Sequence, residues 1–405
     1  MNLLMHKKVK LQPPVGQKKA IGWEVFIFLG LFLAAFIALA IEMGPVNMFN
    51  TMMYTAFDLL TETVFYIMAI AVLAGAISAL FSEFGVISLL NLLLSPFVKF
   101  LYGLPGASAV GIFTTYLSDN PAILTLASDN TFRRYFKRYQ LPALCNIGTA
   151  FGMGLIVTTF MAGIESPTGE NLVVAALIGN LGAIVGSIVS TRIMLLWTAK
   201  IFGKEADCEI EGETEDIDIN KFRKVRKGSV GTRFLDAMLS GGKTGVEMGM
   251  AIIPGVLIIC TVVMMLTNNN DAGVAGVYEG LKYEGIGLLP WIGSKLNFIV
   301  QPLFGFQTAE GIAVPITALG AAGAAITVAK DLVLSSKANA HDVAVFTAMC
   351  MCWSGYLSTH VAMMDSLKCS YLVGPAIISH TIGGLCAGIF TNWFYKLLML
   401  LIALI

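Results

Sequence analysis

Seven apolar runs of span length, low in charge and separated by polar connections, set the limits on what this chain can become. They cover residues 21–41, 57–81, 139–163, 171–202, 244–267, 341–364 and 371–405. At about 1.5 Å of rise per residue, some 20 residues carry a helix across the hydrocarbon core, and a helix meets all its backbone hydrogen-bonding needs within one segment. Only 13% of the 405 residues are charged, with a mean hydropathy of +0.77, whereas soluble domains carry about 25%. The expected class is an all-α polytopic membrane protein with the lipid bilayer as its first partner. Lys and Arg balance Asp and Glu at 26 each, so the composition suggests no nucleic-acid partner.

Two further segments, 85–102 and 286–304, are amphipathic and read as interfacial helices. Each precedes an apolar stretch broken in its middle. In the first, residues 107–117 make a half-length helix of about 16 Å, and Ser118-Asp119-Asn120-Pro121 intervenes before 122–128. Pro121 lacks the amide proton a helix needs and pushes Asn120 out of the α region. In the second, 308–319 is followed by Gly320-Ala321-Ala322-Gly323 and then 324–335. Both read as re-entrant helical hairpins, at about 106–131 and 305–335.

The order of span, interfacial helix, hairpin, span, span then occurs twice. Three full crossings per unit is an odd number, so the second copy lies upside down relative to the first, the layout of an inverted-repeat transporter. The resulting divisions are an amino-terminal region with the first span (1–56), a first repeat (57–202), a charged linker (203–243) and a second repeat (244–405).

Charge tests this topology separately from hydropathy. Threaded from a cytoplasmic amino terminus, the spans put every Lys and Arg on the cytoplasmic side except Lys282, Lys295, Lys330, Lys337 and Lys396, as the positive-inside rule asks. Hairpin one then opens from the cytoplasm and hairpin two from the exterior. Ala38-Leu39-Ala40 has the small-residue pattern of a signal-peptidase site, but the run before it is span-length, so a retained span is expected. The linker, acidic first and basic later, reads as a solvated tether. The seven cysteines show no C-x-x-C pairing; Cys350 and Cys352 read as small packing residues.

Broken helices persist in hydrocarbon where their freed N–H and C=O groups line a cavity or hold a solute. At hairpin one the ion-coupling candidates are Thr115, Ser118 and Asp119, with Thr114 beside them; a carboxylate near the bilayer centre needs a cation, a proton or a partner. Asn120 joins a substrate set. At the start of hairpin two, Gln307, Thr308 and Glu310 supply amide, hydroxyl and carboxylate groups, and Glu310 counts toward both sets. The following spans add Asn146 and Thr149 on one helix face, and Thr347, Ser354, Ser358 and Asp365 as a polar stripe. His360, just off that stripe, is expected to hydrogen-bond a neighbouring helix. Gly179, Gly182, Gly186 and Ser190, and Gly245 with Gly249, are small-residue faces for close helix packing.

Segments 105–163 and 305–365 resemble the nucleoside-recognition "Gate" domain of concentrative nucleoside transporters, of the ferrous-iron permease FeoB and of sporulation membrane proteins. The run FLDAMLSGGKTGVEMGMAIIP from Phe234 to Pro254 is similar to the YjiH-type branch of that group. The resemblance implies a concentrative-nucleoside-transporter-like architecture, solute held between hairpins and post-hairpin spans, commonly a homotrimer, in the cytoplasmic membrane of a bacterium. Those transporters carry Gly-Gln-Thr-Glu in hairpin one; here the similar Gly305-Phe306-Gln307-Thr308-Ala309-Glu310 lies in hairpin two.

The function expected is secondary active transport of a small polar organic solute, nucleoside-like or amino-acid-like, coupled to Na+ or H+, with no cofactor beyond that ion. A metal-ion permease is one alternative, although the cysteine spacing is poor for it and no G-x-x-x-x-G-K-[ST] loop is present. A non-transporting, partner-dependent membrane protein is another. No nucleophile–base pair or ligand cluster points to an enzyme.

Overall fold

A computed structural model describes residues 20–118, 120, 122–123, 127, 130–133, 135–208, 225–268 and 277–404. Among these the chain is helical, and the single extended pairing is a bridge between Lys137 and Asp207. The helices are α1 (Trp23–Met43), α2 (Pro45–Glu83), α3 (Val86–Tyr102), α4 (Ser108–Tyr116), α5 (Asn130–Arg133), α6 (Ala143–Thr149), α7 (Gly154–Ala162) and α8 (Leu172–Phe202). After the linker come α9 (Val230–Thr267), α10 (Leu288–Phe304), α11 (Ala313–Gly320), α12 (Ala322–Leu334), α13 (Ala340–Trp353), α14 (Tyr356–Ser366) and α15 (Val373–Ala403).

Six of the described segments are long and apolar enough to cross a membrane: α1, α2, α6 with α7, α8, α9 and the one containing α15. This is a multi-pass membrane protein. The seventh expected crossing, 341–364, is not continuous. Its helix stops at Trp353, Ser354 takes φ 27° and Gly355 φ 68°, and a new helix begins at Tyr356. Segment 139–163 is likewise corrected: its helix starts at Ala143, pauses after Thr149, passes through Met153 at φ 56° and resumes at Gly154. Hydropathy and length do not register one or two residues of left-handed backbone, and both interruptions escaped the sequence pattern for that reason.

Two boundaries move as well. α2 begins at Pro45 rather than 57, and α9 at Val230 rather than 244, so the last part of the expected linker is helix. Ser229 caps α9 by accepting from the Thr232 amide. Both long helices contain a π-helical turn, Leu59–Val64 in α2 and Gly255–Cys260 in α9. The second follows Pro254, which has no amide proton and whose ring displaces a preceding carbonyl. In the first, the Thr61 hydroxyl donates to the Phe57 carbonyl at 3.1 Å, the kind of side-chain insertion that disturbs a helical ladder.

Helices α3 and α10 fall where the amphipathic pattern puts them. Each is framed by glycines in the left-handed region, Gly85 and Gly103 around α3, Gly287 and Gly305 around α10, a conformation that costs glycine nothing. Hairpin two turns at Ala321 alone, in extended backbone, rather than over four residues. α4 is the described first limb of hairpin one; most of the expected second limb, 122–128, lies outside the described residues.

Close packing rests on the small residues. α2 lies along α9, where a Cβ on Gly241 would sit 2.1 Å from the Gly75 carbonyl oxygen and one on Gly245 2.3 Å from that of Ala71. α8 lies along α15 and α13, with Gly182 against Thr391 and Gly186 against Gly383. α1 presents its apolar side chains outward over nearly its whole length, the surface that lipid requires. The α2–α9 pair forms one body of the fold; α8, α13 and α15 with the interrupted α6–α7 form the other, and the hairpins lie between.

Candidate functional site

The two interrupted helices meet at their breaks. Ser354 Oγ donates to the Gly152 carbonyl at 3.1 Å, and Asn120, from the turn of hairpin one, donates through Nδ2 to the Ser354 carbonyl at 2.9 Å. The Gly355 amide donates to the Ala318 carbonyl at the end of α11, also at 2.9 Å. Carbonyls and amides released by the breaks are thus taken up by the opposite helix and by both hairpins. Gly152 has no room for a side chain, since a Cβ there would fall 1.3 Å from Asn120 Oδ1. Asn120 and Ser354 are 2% and 5% exposed, so the crossing is buried.

A cavity of about 290 Å³ lies between hairpin one and the α2–α9 pair. Thr114 and Ser118 face it from the hairpin side, Ser78 and Ser82 from α2, Ser240 and Thr244 from α9. Met248 lines both this cavity and a narrow apolar space above it, bounded by Met153, Ile156 and Ile252 beside the break in α6–α7. Arg226 stands at the wall and ion-pairs with Glu83 at 3.0 Å, while Arg233 Nε approaches the same carboxylate at 2.6 Å. Glu83 is 3% exposed. A carboxylate removed from water is tolerated where two guanidinium groups hold it.

The expected site residues do not form one pocket. Asn120 and Ser354 meet at the crossing, and Ser118 lines the cavity. Thr115 is fully buried with its hydroxyl turned back to the Gly111 carbonyl at 2.8 Å. Asn146 lies in a buried polar network with Ser190 and Ser379, at 2.8 and 2.9 Å, and Thr149 touches the Met363 sulfur at 3.6 Å. Gln307, Thr308 and Glu310 stand at the base of hairpin two, some 12 Å of helix rise from its tip. There the Gln307 backbone N–H donates to the Asp342 carboxylate, the Thr308 hydroxyl donates to the Lys337 carbonyl, and Glu310 lies 3.6 Å from Lys337. Asp119 and the side chain of Ser358 lie outside the described residues.

The polar stripe of Thr347, Ser354, Ser358 and Asp365 is overturned, because the break at Ser354–Gly355 ends the helical register that aligned them. Thr347 bonds back to the Val343 carbonyl, and Asp365 is exposed and accepts from Ser370. His360 also departs from expectation: no group on another helix hydrogen-bonds its ring among the described residues. Sequence reasoning passed over Glu83, Arg226 and His380. For His380 a signal was present, an ionisable residue inside an apolar span. For the ion pair none was, since its partners are 143 and 150 residues apart.

No group of three or more His, Cys, Asp or Glu among the described residues could hold a metal ion. No protein-family model matches the chain, and no curated protein matches it. Among solved structures the fold is that of CNTnw, a concentrative nucleoside transporter. A double variant of CNTnw in an outward-facing state aligns with a TM-score of 0.54 at 13% identity, over 93% of this chain and 85% of that one. A single variant in its intermediate 3 state gives 0.52 at 14%, covering 93% and 86%. CNTnw in an inward-facing substrate-bound state gives 0.50 at 14%, covering 93% and 85%. The likeness establishes a shared architecture and, at such identities, leaves the solute to be argued from the site.

Proposed function

We propose that this protein is a secondary active transporter of a small polar organic solute, nucleoside-like or amino-acid-like, coupled to Na+ or H+ and working by alternating access. The observation that carries the reading is the crossing of two interrupted helices, with both hairpin tips bonded to it, directly beside a hydroxyl-lined cavity. Hydroxyl, amide and backbone groups at that depth suit a solute that both donates and accepts hydrogen bonds. Ser118, Asn120 and Ser354 would meet the solute, with Ser240 and Thr244 on the facing wall. Gln307, Thr308 and Glu310 act at the outer entry of hairpin two.

The two halves are read as an inverted repeat with re-entrant hairpins. What supports this is the element order, in which a helix with a π turn, an interfacial helix, a broken hairpin, a broken helix and a 31-residue helix occur in sequence twice. The basic residues Arg226 and Arg233 at the rim support reading the cavity mouth as cytoplasmic, in a bacterial cell. A homotrimer is carried over from the family resemblance.

The test is thermal unfolding of the purified protein against nucleosides, bases and amino acids, each with and without Na+ and at two pH values. A ligand that binds the native state raises its apparent stability. A solute-specific upward shift is expected. No shift with any of them, alongside a shift with Fe2+ or Mn2+ alone, would replace this reading with a metal-ion permease.

A further inference from the structure

The hydroxyl-lined cavity carries charge at one end. Among its described lining residues Arg226 is the one titratable side chain. Asp236, Lys243 and Glu247, on the stretch of α9 that faces the cavity, are exposed and lie off its wall. Arg226 belongs to the segment joining the two halves, so the charged tether supplies a residue to the wall of a pocket. Its side chain is 35% exposed, against 18% for Arg233, which lies over the Phe84 ring and off the wall.

Glu83 holds Arg226 in this place. Its carboxylate accepts from Arg226 Nη1 at 3.0 Å and from the Arg226 backbone amide at 3.2 Å. The same carboxylate accepts from Arg233 Nε at 2.6 Å. Two guanidinium groups on one carboxylate leave one unit of positive charge at the cavity wall. A guanidinium has five N–H donors in a fixed fork, so an ion pair through Nη1 leaves further donors for a bound group.

The surroundings act in the same sense. α3 begins at Val86 and Ile87 lines the cavity, so the amide end of a 17-residue helix, with its partial positive charge, adjoins the space. Thr114 and Thr244 spend their hydroxyl protons on the Val110 and Ser240 carbonyls, at 2.7 and 3.3 Å. Ser78 and Ser82 of α2, the latter one residue from Glu83, offer hydroxyl protons beside Arg226. The other end of the cavity, at Leu117 and Ser118, is the carbonyl end of α4, where an anion is disfavoured. Positive charge and donors are therefore gathered at the Arg226 end.

We infer that the solute carries an oxyanion, a carboxylate or a phosphate group, and that Arg226 binds it with Ser78 and Ser82 alongside. The inference rests on the transport reading and narrows it, favouring an acid such as an amino acid over a neutral nucleoside. The guanidinium fork meets two oxygens of the anion, Glu83 positions the fork, and the rest of the solute extends toward Ser118 and the crossing.

The experiment uses probes paired by charge: L-serine, L-leucine and L-lysine against their methyl esters, and the 5′-monophosphates of uridine and adenosine against the nucleosides. Thermal unfolding of the full chain is followed over a range of probe concentrations at constant ionic strength, each variant read against its own probe-free midpoint. At least one oxyanion-bearing probe is expected to raise the midpoint where its partner does not. Its apparent affinity should fall about tenfold or more in Arg226→Gln and recover in part in Arg226→Lys. The amino-acid and phosphate pairs separate the two sources of the oxyanion. Equal shifts by both members of every responding pair, or a shift that survives Arg226→Gln undiminished, would overturn the inference and leave the transport reading standing. No shift by any probe would overturn both.

Discussion

Replacing Gly152 by alanine should expel Asn120 from the helix crossing, and the cost follows from two distances. The new methyl would lie 1.3 Å from Asn120 Oδ1, so the amide must retreat by about 2 Å to reach ordinary contact. That movement breaks the bond from Nδ2 to the Ser354 carbonyl. A buried carbonyl left without a partner costs about 1–3 kcal/mol, and the overpacking itself about 1–3 kcal/mol. Gly152→Ala should therefore destabilise by about 2–6 kcal/mol, the sum of those terms. Asn120→Ala, which loses the bond without the clash, should cost about 1–3 kcal/mol. The double variant decides the matter. Once the Asn120 side chain is gone the methyl has less to collide with, so the pair should cost about what Asn120→Ala costs alone, a coupling of about 2–6 kcal/mol, the whole cost of Gly152→Ala. Unfolding of each variant in detergent, followed by tryptophan fluorescence, measures it. Strictly additive effects would refute the reasoning, because they would mean that the hairpin turn and the broken helix do not share this contact.

Gly355→Ala forces an alanine to φ 68° and sets its Cβ 3.0 Å from the Gly320 carbonyl oxygen; at about 1–2 kcal/mol for the left-handed backbone alone, hairpin two should detach more readily, seen as faster thiol labelling of Ala321→Cys. Gly241→Ala should cost about 2 kcal/mol or more, by contact with the Gly75 backbone. Its neighbour Gly242, whose Cβ would meet nothing nearer than 3.6 Å, should accept alanine within about 0.5 kcal/mol; equal thermal midpoints for the two would contradict the α2–α9 packing. For sidedness, a membrane-impermeant maleimide should label Thr244→Cys only from the face that also cleaves or labels the linker, and Ser335→Cys only from the opposite face. Glu83→Gln leaves Arg226 and Arg233 without their shared carboxylate and should lower the thermal midpoint, whereas Arg226→Gln, with Arg233 still in place, should lower it less.

Membrane class and the helices α3, α4 and α10 were legible in the sequence because each rests on a local quantity: run length, apolar periodicity, or a glycine at a helix end. The small-residue faces were legible for the same reason, since Gly245, Gly249, Gly182 and Gly186 recur at helical spacing. The breaks within α6–α7 and α13–α14 were not. A helix interrupted by Ser354 and Gly355 has the same hydropathy as an unbroken one, and only the neighbours, Asn120 and the Ala318 carbonyl, make the interruption stable. That failure carried through to the site. The stripe through Thr347, Ser354, Ser358 and Asp365 assumed 100° per residue across a position where the chain turns left-handed. Gln307, Thr308 and Glu310 were grouped with the pocket by residue type, while the turn at Ala321 sets them at the far end of the hairpin. The Glu83 cluster joins a span end to the linker over more than 140 residues, a pairing no spacing rule reaches.

The most direct test of the central claim is solute accumulation in proteoliposomes, with uridine, adenosine and a set of amino acids as radiolabelled probes and either a Na+ or a proton gradient imposed. Transport by a hairpin-carrying body predicts accumulation of at least one probe above its external concentration, dependent on one gradient, lost when that gradient is collapsed and lost in Ser118→Trp, which fills the cavity. No gradient-dependent accumulation of any probe by protein that remains folded and monodisperse would contradict it.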